Sequence, residues 1–196
     1  SHWDIYFSYR PAGGSWGANV KVNDDPGTGN QWVPAIAVDS LGNAYAVWHD
    51  YRNDLYDSDI YFSYRPAGGS WDTNVKVNDD SGTAVQWYPA IAVDASGNAY
   101  AVWDGYRNGN FDIYFSYRPA GGNWGANIKV NDDPGTADQV LPSIAVDSSG
   151  NAYAVWDDYR NGNLSSEFNS DIYFSLYGLP WEPTSFVYLP IVMKNY

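Results

Sequence analysis

The sequence is dominated by one phrase that returns at nearly constant intervals. Residues Asp4–Trp16 recur almost letter for letter at Asp59–Trp71 and at Asp112–Trp124, and a shortened copy stands at Asp171–Ser175. The first three copies start 55 and 53 residues apart. Self-similarity at such a period is typical of architectures in which each repeat packs against its neighbours. The chain is therefore expected to fold as a series of similar units.

Each period contains four segments with the composition of short β-strands. In the first period they are Ile5–Tyr9, Asn19–Asn23, Pro34–Val38 and Asn43–Trp48. They are rich in β-branched and aromatic residues or alternate with period two, and turn residues separate them. No segment combines an apolar helical period with capping signals. Four strands in about 50 residues predict an all-β fold built from the four-stranded antiparallel blades of a β-propeller. A sandwich domain needs about 100 residues and a β-helix rung is much shorter.

The order of the strands predicts where each blade begins and ends. Propeller repeats are expected over residues 1–180, as a half-blade at 4–23 and blades at 34–78, at 89–131 and from 142 to 175 onward. These units make about three and a half blades, whereas closed propellers typically have at least four. We therefore expect the ring to be completed by N-terminal blades missing from this sequence or by other copies of the chain.

An apolar C-terminal tail is expected over residues 181–196. Its large apolar side chains predict a terminal β-strand that pairs with the edge of a blade and serves in assembly. These assembly residues are Phe186, Val187, Tyr188, Leu189, Ile191 and Val192. Pro190 fits only in an outermost strand, because it has no N–H to donate. Trp181 is expected at the position equivalent to Trp16.

Charge and composition exclude several classes of function. Lys and Arg total 10 against 23 acidic residues, giving a net charge of −13, which disfavours nucleic acid and anionic lipid as partners. No apolar run approaches the roughly 18 residues of a membrane-spanning helix. The sequence has no cysteine, which excludes disulfides and thiolate metal sites.

The hairpin between the third and fourth strands of each unit keeps a glycine and a tryptophan. The pairs are Gly13 and Trp16, Gly68 and Trp71, and Gly121 and Trp124. This hairpin resembles the Asp-box (BNR) repeat of secreted bacterial sialidase-type propellers, which reads Ser-x-Asp-x-Gly-x-Thr-Trp. Ser15 replaces the threonine, while Tyr9 and Pro11 occupy the serine and aspartate positions. The resemblance implies a propeller fold and an extracellular or cell-surface location. We expect all three tryptophans to be buried at equivalent sites.

Sialidases of the family that this chain resembles use three arginines, a Tyr–Glu pair and an Asp acid/base. A catalytic site is asymmetric, but Arg52, Arg107 and Arg160 stand at one equivalent position of the repeat. We therefore expect these arginines to bind loop carboxylates, such as Asp59, Asp112 and Asp171, in a structural role. Glu167 is the only glutamate in a blade loop and is expected to be a solvated acid. No catalytic residue is assigned, and His2 and His49 are not expected to form a metal site.

Two features of the loops leave alternatives open. Trp32 and Trp87 occupy equivalent positions and could form a sugar-stacking platform or pack between blades. The acidic turns at Asp24-Asp25, Asp79-Asp80 and Asp132-Asp133 could hold Ca²⁺, but they lack the spacing of a dedicated calcium loop. Local hydrogen bonding at turns is the simpler interpretation, so no cofactor is expected.

Three functions follow as hypotheses. The first is a secreted, non-catalytic propeller for extracellular assembly or adhesion, which associates through its incomplete blade and C-terminal strand. The second is a lectin-like propeller that binds extracellular glycans through Trp32 and Trp87. The third is a sialidase-type glycoside hydrolase, which rests on the family resemblance alone.

Overall fold

A computed structural model of the chain describes residues 2–54, 56–161, 171–177 and 187–188. Every regular element in these ranges is a β-strand. The strands form three four-stranded antiparallel sheets and one two-stranded sheet. The expected all-β propeller architecture is thereby confirmed. In the described ranges, no helix is long and apolar enough to cross a membrane.

The strands pair in sequence order within each sheet. The N-terminal half-blade contains β1 (Tyr6–Phe7) and β2 (Val20–Lys21). The first complete blade contains β3 (Gln31–Val38), β4 (Ala44–Asp50), β5 (Asp59–Arg65) and β6 (Val75–Lys76). The second contains β7 (Gln86–Val93), β8 (Ala99–Gly105), β9 (Asp112–Arg118) and β10 (Ile128–Lys129). The third contains β11 (Gln139–Val146), β12 (Ala152–Asp158), β13 (Asp171–Tyr177) and β14 (Val187–Tyr188). Strand β7 contacts both β3 and β11, so the first strands of the blades are the inner strands of the propeller.

The hydrophobic core lies between successive units. All seven residues of β4 and of β8 are buried, because each of these second strands is covered on both faces. Trp48 packs in a cluster with Ile5 and Val22 of the half-blade, and Trp103 packs with residues of the first blade. Burying a large apolar side chain contributes roughly 1.5–3 kcal/mol, so the stability of each blade depends on its neighbour.

The strands of the half-blade are shorter than expected. β5 and β9 have seven residues each, because each pairs along its whole length with the second strand of its blade. Among the described residues β1 pairs only with β2, so regular structure is restricted to Tyr6–Phe7 rather than Ile5–Tyr9. The partner strand is likewise reduced from Asn19–Asn23 to Val20–Lys21.

The inner strands begin three residues earlier than expected, at Gln31 in the first blade rather than at Pro34. The register shifts between Trp32 and Ala35, and Val33 has a positive φ of 50°. This irregularity places Pro34, which cannot donate a hydrogen bond, where the ladder is interrupted. Equivalent residues with positive φ occur at Tyr88 and Leu141. Trp32 and Trp87 therefore lie in strands and not in a loop.

The hairpin tryptophans are not equally buried, which corrects the sequence-based expectation. Trp71 packs edge-on against Phe7 of the preceding unit at 5.3 Å, and Trp124 packs against Phe62 at 5.2 Å. Both are half-buried, whereas Trp16 is 70% exposed. Among the described residues, no phenylalanine of a preceding unit packs against Trp16. Trp181 lies outside the described residues.

The described part of the C-terminal tail forms the outermost strand of the third blade. Val187 pairs with Leu176, and Tyr188 pairs with Ser175. The other four assembly residues, Phe186, Leu189, Ile191 and Val192, lie outside the described residues. A role for this segment in assembly stays a prediction.

Candidate functional site

A buried polar network joins the half-blade to the first blade at the end of the sheets where the inner strands begin, and an equivalent network at Asn131 joins the second blade to the third. The Asn23 side-chain amide donates to Asp4 Oδ1 and to Gln31 Oε1, both at 2.9 Å. Gln31 Nε2 in turn donates to Asp50 Oδ1 at 3.2 Å. Because a buried polar group without a partner is costly, this network stabilises the contact between neighbouring units.

The three equivalent arginines complete this network and do not converge on one pocket. Arg52 binds Asp50 of its own blade at 2.7 Å and Asp24 of the preceding unit at 3.0 Å, and its guanidinium lies 3.8 Å from the centre of the Tyr61 ring. Burial alone would lower the pKa of Arg52, but the neighbouring carboxylates outweigh it and raise that pKa. Arg160 binds the equivalent acids, Asp158 of its own blade and Asp132 of the preceding one. Arg107 binds Asp79 and Asp80 of the preceding blade, because Gly105 stands at the position of Asp50.

The carboxylates named as partners in the sequence analysis have other partners. Asp59 and Asp112 bind Lys76 and Lys129 of the adjacent fourth strands, each at 2.6 Å. Asp171 accepts a hydrogen bond from the Asn161 side chain at 3.0 Å. The lysines reach the first residue of the third strand across the ladder, so the arginines pair instead with the acidic turns.

The acidic turns are engaged in these contacts between units. Asp24 also accepts the backbone N–H of Asn74, and Asp25 and Asp133 accept the N–H of Gly27 and Gly135 within their own turns. Within the described ranges, no group of three or more His, Asp or Glu side chains is placed to hold a metal ion. Calcium binding at these turns stays a prediction.

An aromatic cluster covers the same end of the propeller. We call it the aromatic end surface and define it by Trp32, His49, Tyr51, Trp87 and Tyr88. The ring centres of Trp32 and Tyr51 are 5.5 Å apart, and Trp87 Nε1 donates a 2.9 Å hydrogen bond to the Tyr51 hydroxyl. Trp32 and Tyr88 are each 39% exposed. The structure therefore brings the two tryptophans singled out in the sequence into one cluster that spans two blades.

A groove extends this surface toward the half-blade. Its volume is about 500 Å³, and its lining is mainly apolar. The lining includes Trp3, Tyr6, Trp32 and Val33, and its polar residues are Asp4 and Gln31. The groove and the aromatic end surface share Trp32, so they form one continuous site. The sequence analysis did not assign Trp3 or Tyr6 to a site. The backbone N–H of Gln31 donates to the Trp3 carbonyl at 2.9 Å, which places Trp3 beside Trp32.

His49 of this surface and Asp104, at the equivalent position of the next blade, are both buried titratable residues. Burial lowers the pKa of His49 to about 4, and neither of its ring nitrogens has a hydrogen-bond partner. Burial raises the pKa of Asp104 to about 8. Both side chains are therefore uncharged at neutral pH. The sequence shows that Asp104 replaces His49 in the next copy of the repeat, but it does not reveal that both side chains are buried.

The geometry of this site favours a ligand that presents a flat apolar face to the aromatic rings. Aromatic rings that are partly open to solvent stack on apolar surfaces, and tyrosine hydroxyls and indole N–H groups supply hydrogen bonds. Asp104 is 1% exposed, so a bound molecule would contact the rings and not this carboxyl group. Glu167, the other carboxylate considered in the sequence, lies outside the described residues.

No family model matches the chain. A Beta/alpha-amylase of Paenibacillus polymyxa is 29% identical to it over 176 residues, which are 87% of this chain and 14% of that protein. A GH93 α-L-arabinofuranosidase of Fusarium graminearum has a similar structure, with a TM-score of 0.64, 15% identity, and coverage of 90% of this chain and 56% of that one. An α-L-arabinanase of Penicillium chrysogenum matches with a TM-score of 0.59, 16% identity, and coverage of 90% and 56%. A Hadza microbial sialidase matches with a TM-score of 0.56, 12% identity, and coverage of 75% and 35%.

These comparisons confirm a sialidase-like propeller fold, shared with glycoside hydrolases. They overturn the first functional hypothesis, a non-catalytic protein for extracellular assembly or adhesion, because the proteins matched in sequence and in fold are enzymes that process carbohydrates. The chain spans little more than half of the arabinofuranosidase and of the arabinanase, and a seventh of the amylase.

Proposed function

We propose that this chain is the propeller of a glycan-processing enzyme and that its aromatic end surface binds the sugar rings of a polysaccharide. The observation that carries the proposal is the assembly of Trp32, Tyr51, Trp87 and Tyr88 from two blades into one partly exposed surface. The C–H faces of sugar rings are apolar and their edges carry hydroxyls, which matches rings that also present polar groups.

The charge of the chain favours a neutral glycan. A net charge of −13 repels anionic polymers over a distance set by ionic strength, whereas a neutral chain such as arabinan or an α-glucan meets no such barrier. The groove beside Trp32 extends the contact beyond a single sugar ring. The similarity to an amylase and to arabinan-degrading enzymes supports this class of ligand.

Two finer assignments accompany this function. We infer that the hairpins ending at Trp16, Trp71 and Trp124 are degenerate Asp-boxes, since they keep the glycine and tryptophan of that motif. We also infer that the protein acts outside the cell, where polysaccharides of this kind are encountered. Immunoblotting of the culture medium and of the cells for the native protein tests this location.

Affinity electrophoresis in gels that contain arabinan, starch or a sialylated mucin tests the binding site. Wild-type protein should be retarded by arabinan or starch and not by mucin. Trp87→Ala should weaken retardation about tenfold, because loss of one stacked ring costs roughly 0.5–1.5 kcal/mol beyond its buried area. The matched control is Trp16→Ala, which removes an exposed tryptophan at the opposite end of the sheets.

Equal retardation of the Trp87→Ala variant and wild type would overturn the assigned site. In the intact enzyme that carries this propeller, the same substitution should raise KM for the polysaccharide and leave kcat unchanged, since it removes binding and not chemistry. If that enzyme hydrolyses no polysaccharide, the proposed function itself is overturned.

A further inference from the structure

A second cavity lies between the first and second blades, at the end of the sheets opposite to the aromatic end surface. Its volume is about 380 Å³, within the range of small-molecule sites. Tyr45, Tyr64 and Asp72 line it from the first blade, and Gly97 and Arg118 line it from the second. We call it the Arg118 pocket.

Arg118, like the equivalent Arg65, is half-buried and differs in its partners from Arg52, Arg107 and Arg160 of the polar network. Its guanidinium lies 5.1 Å from the centre of the Phe62 ring, and within the described part of the chain no carboxylate is close enough to form a salt bridge with it. Burial lowers the pKa of Arg118, and the charge of Asp72 offsets this only in part, whereas carboxylate partners raise the pKa of Arg52 and of Arg160. Because a half-buried cation is costly to leave unpaired, Arg118 has hydrogen-bonding capacity available for a ligand.

Asp72 supplies the complementary group. Its backbone is held by two hydrogen bonds, from its own N–H to the Tyr64 carbonyl at 2.8 Å and from the Ser63 hydroxyl to its carbonyl at 2.7 Å. Its carboxylate is exposed and has no hydrogen-bond or salt-bridge partner among the described residues. Gly17 and Gly125 stand at the equivalent positions, so the repeat changes at this pocket.

The tyrosines provide the apolar part of the pocket. The ring centres of Tyr45 and Tyr64 are 5.1 Å apart in an edge-on arrangement. The Tyr45 hydroxyl donates to Asp39 Oδ2 at 3.1 Å, and Asp39 Oδ1 already accepts two backbone N–H groups of its turn. Asp39 is therefore satisfied within the protein, and Asp72 is the acceptor available to a ligand.

We propose that the Arg118 pocket is a second glycan-binding site, which takes one sugar ring of a neutral oligosaccharide. Asp72 accepts hydrogen bonds from adjacent hydroxyls, Arg118 donates to ring or hydroxyl oxygens, and the tyrosine rings contact the apolar face. Asp39 and Asp72 line the pocket together with a single arginine, Arg118, and this excess of negative charge disfavours an anionic sugar. The identity of the ligand rests on the proposed function, whereas the pocket itself is independent of the aromatic end surface.

Isothermal titration calorimetry of the full chain with arabinotriose, maltotriose and sialyllactose tests this site. The titrations use the Trp87→Ala background, so that binding at the aromatic end surface is suppressed and the two sites fail separately. At least one neutral trisaccharide should bind, and Arg118→Gln should weaken its binding at least tenfold. The matched control is Arg65→Gln, because Arg65 is the equivalent arginine and lies over Phe7 at 5.0 Å.

Asp72→Gly is a second variant, which introduces the glycine found at both equivalent positions of the repeat. It should also weaken binding about tenfold. Thermal unfolding of each variant shows whether it is folded. The proposal is overturned by wild-type affinity in Asp72→Gly, by an equal loss of affinity in Arg65→Gln and Arg118→Gln, or by preferential binding of sialyllactose. It is also overturned if neither neutral trisaccharide binds at millimolar concentration.

Discussion

A histidine and an aspartate occupy equivalent positions of this repeat, and both side chains are uncharged at neutral pH in the folded protein. His49 and Asp104 are both buried on the second strand of a blade, and their side chains have no hydrogen-bond partners. Burial disfavours the charged form of either group, so the pKa of the histidine falls and that of the aspartate rises. A neutral imidazole and a neutral carboxyl group can thus occupy the same site. As pH rises, the contribution of Asp104 to stability therefore falls, whereas the contribution of His49 rises.

Asp104→Asn should stabilise the protein at high pH. The pKa of Asp104 is about 8 in the folded state against 3.8 for a solvated aspartate, so between these values the unfolded chain releases a proton that the folded chain keeps. The contribution of Asp104 to stability therefore falls as pH rises from about 4 to about 8. Urea unfolding should show Asp104→Asn more stable than wild type by more than about 2 kcal/mol at pH 8, and much closer to it at pH 4.

His49→Phe is the matched control for this experiment, and its effect has the opposite sign. The pKa of His49 is about 4 in the folded state against 6.5 for a solvated histidine, so wild type loses stability as pH falls from 6.5 to 4. His49→Phe should remove that loss and gain most, relative to wild type, at pH 4. Parallel pH profiles for wild type and Asp104→Asn would contradict the burial of a neutral carboxyl group.

Among the elements, the hairpin between the third and fourth strands joins one unit to the preceding one. Trp71 and Trp124 pack on phenylalanines of the preceding unit, while Trp16 has no such partner among the described residues. The hairpins have nearly the same sequence and the same positive φ at Gly13, Gly68 and Gly121. Their contribution to stability therefore depends on the neighbouring unit and not on the hairpin itself.

Trp124→Ala should destabilise the protein by about 3 kcal/mol, because it leaves a cavity against Phe62. Trp16→Ala is the matched change in an equivalent hairpin and should cost less than about 0.5 kcal/mol, as is usual for exposed sites. Chemical unfolding of both variants at one pH gives the comparison. Equal losses in the two variants would show that the tryptophan acts within its own hairpin.

The whole molecule is a row of units in which the central ones are covered on both sides. β4 and β8 are buried along their whole length, whereas Tyr6 of the half-blade is 60% exposed and Val155 of the third blade is 37% exposed. In such arrays stability is approximately a sum of unit and interface contributions. The units at the two ends each lack one interface within the described structure, and the second blade lacks none.

Native-state hydrogen exchange should reflect this gradient. Amides of β8 and β9 should exchange slowest, and those of β1 and β2 should exchange at least tenfold faster, because the half-blade opens without unfolding the rest. Mass spectrometry of peptides after timed exchange measures the difference. Uniform protection from the half-blade to the second blade would contradict the independence of the units.

Much of the fold was predictable because its causes are local. Side chains that alternate with period two, turn residues at fixed positions, and a period near 55 residues together predicted four-stranded blades. The arginines were predicted to bind carboxylates from their regular spacing, but their partners were not, since Lys76 and Lys129 reach Asp59 and Asp112 first. Cross-strand distances of this kind follow from register, which the composition of a strand does not reveal.

The sequence by itself determined the repeat, the number of strands in each unit and the absence of cysteine chemistry. Only the tertiary structure decided which copies of a repeated residue are buried, as Trp16 and Trp124 show. It also decided that Trp32 and Trp87 share one surface and that Arg118 lacks a carboxylate partner among the described residues. The physical reason is that local propensity is the same in every copy, whereas burial and pairing depend on the unit that lies alongside.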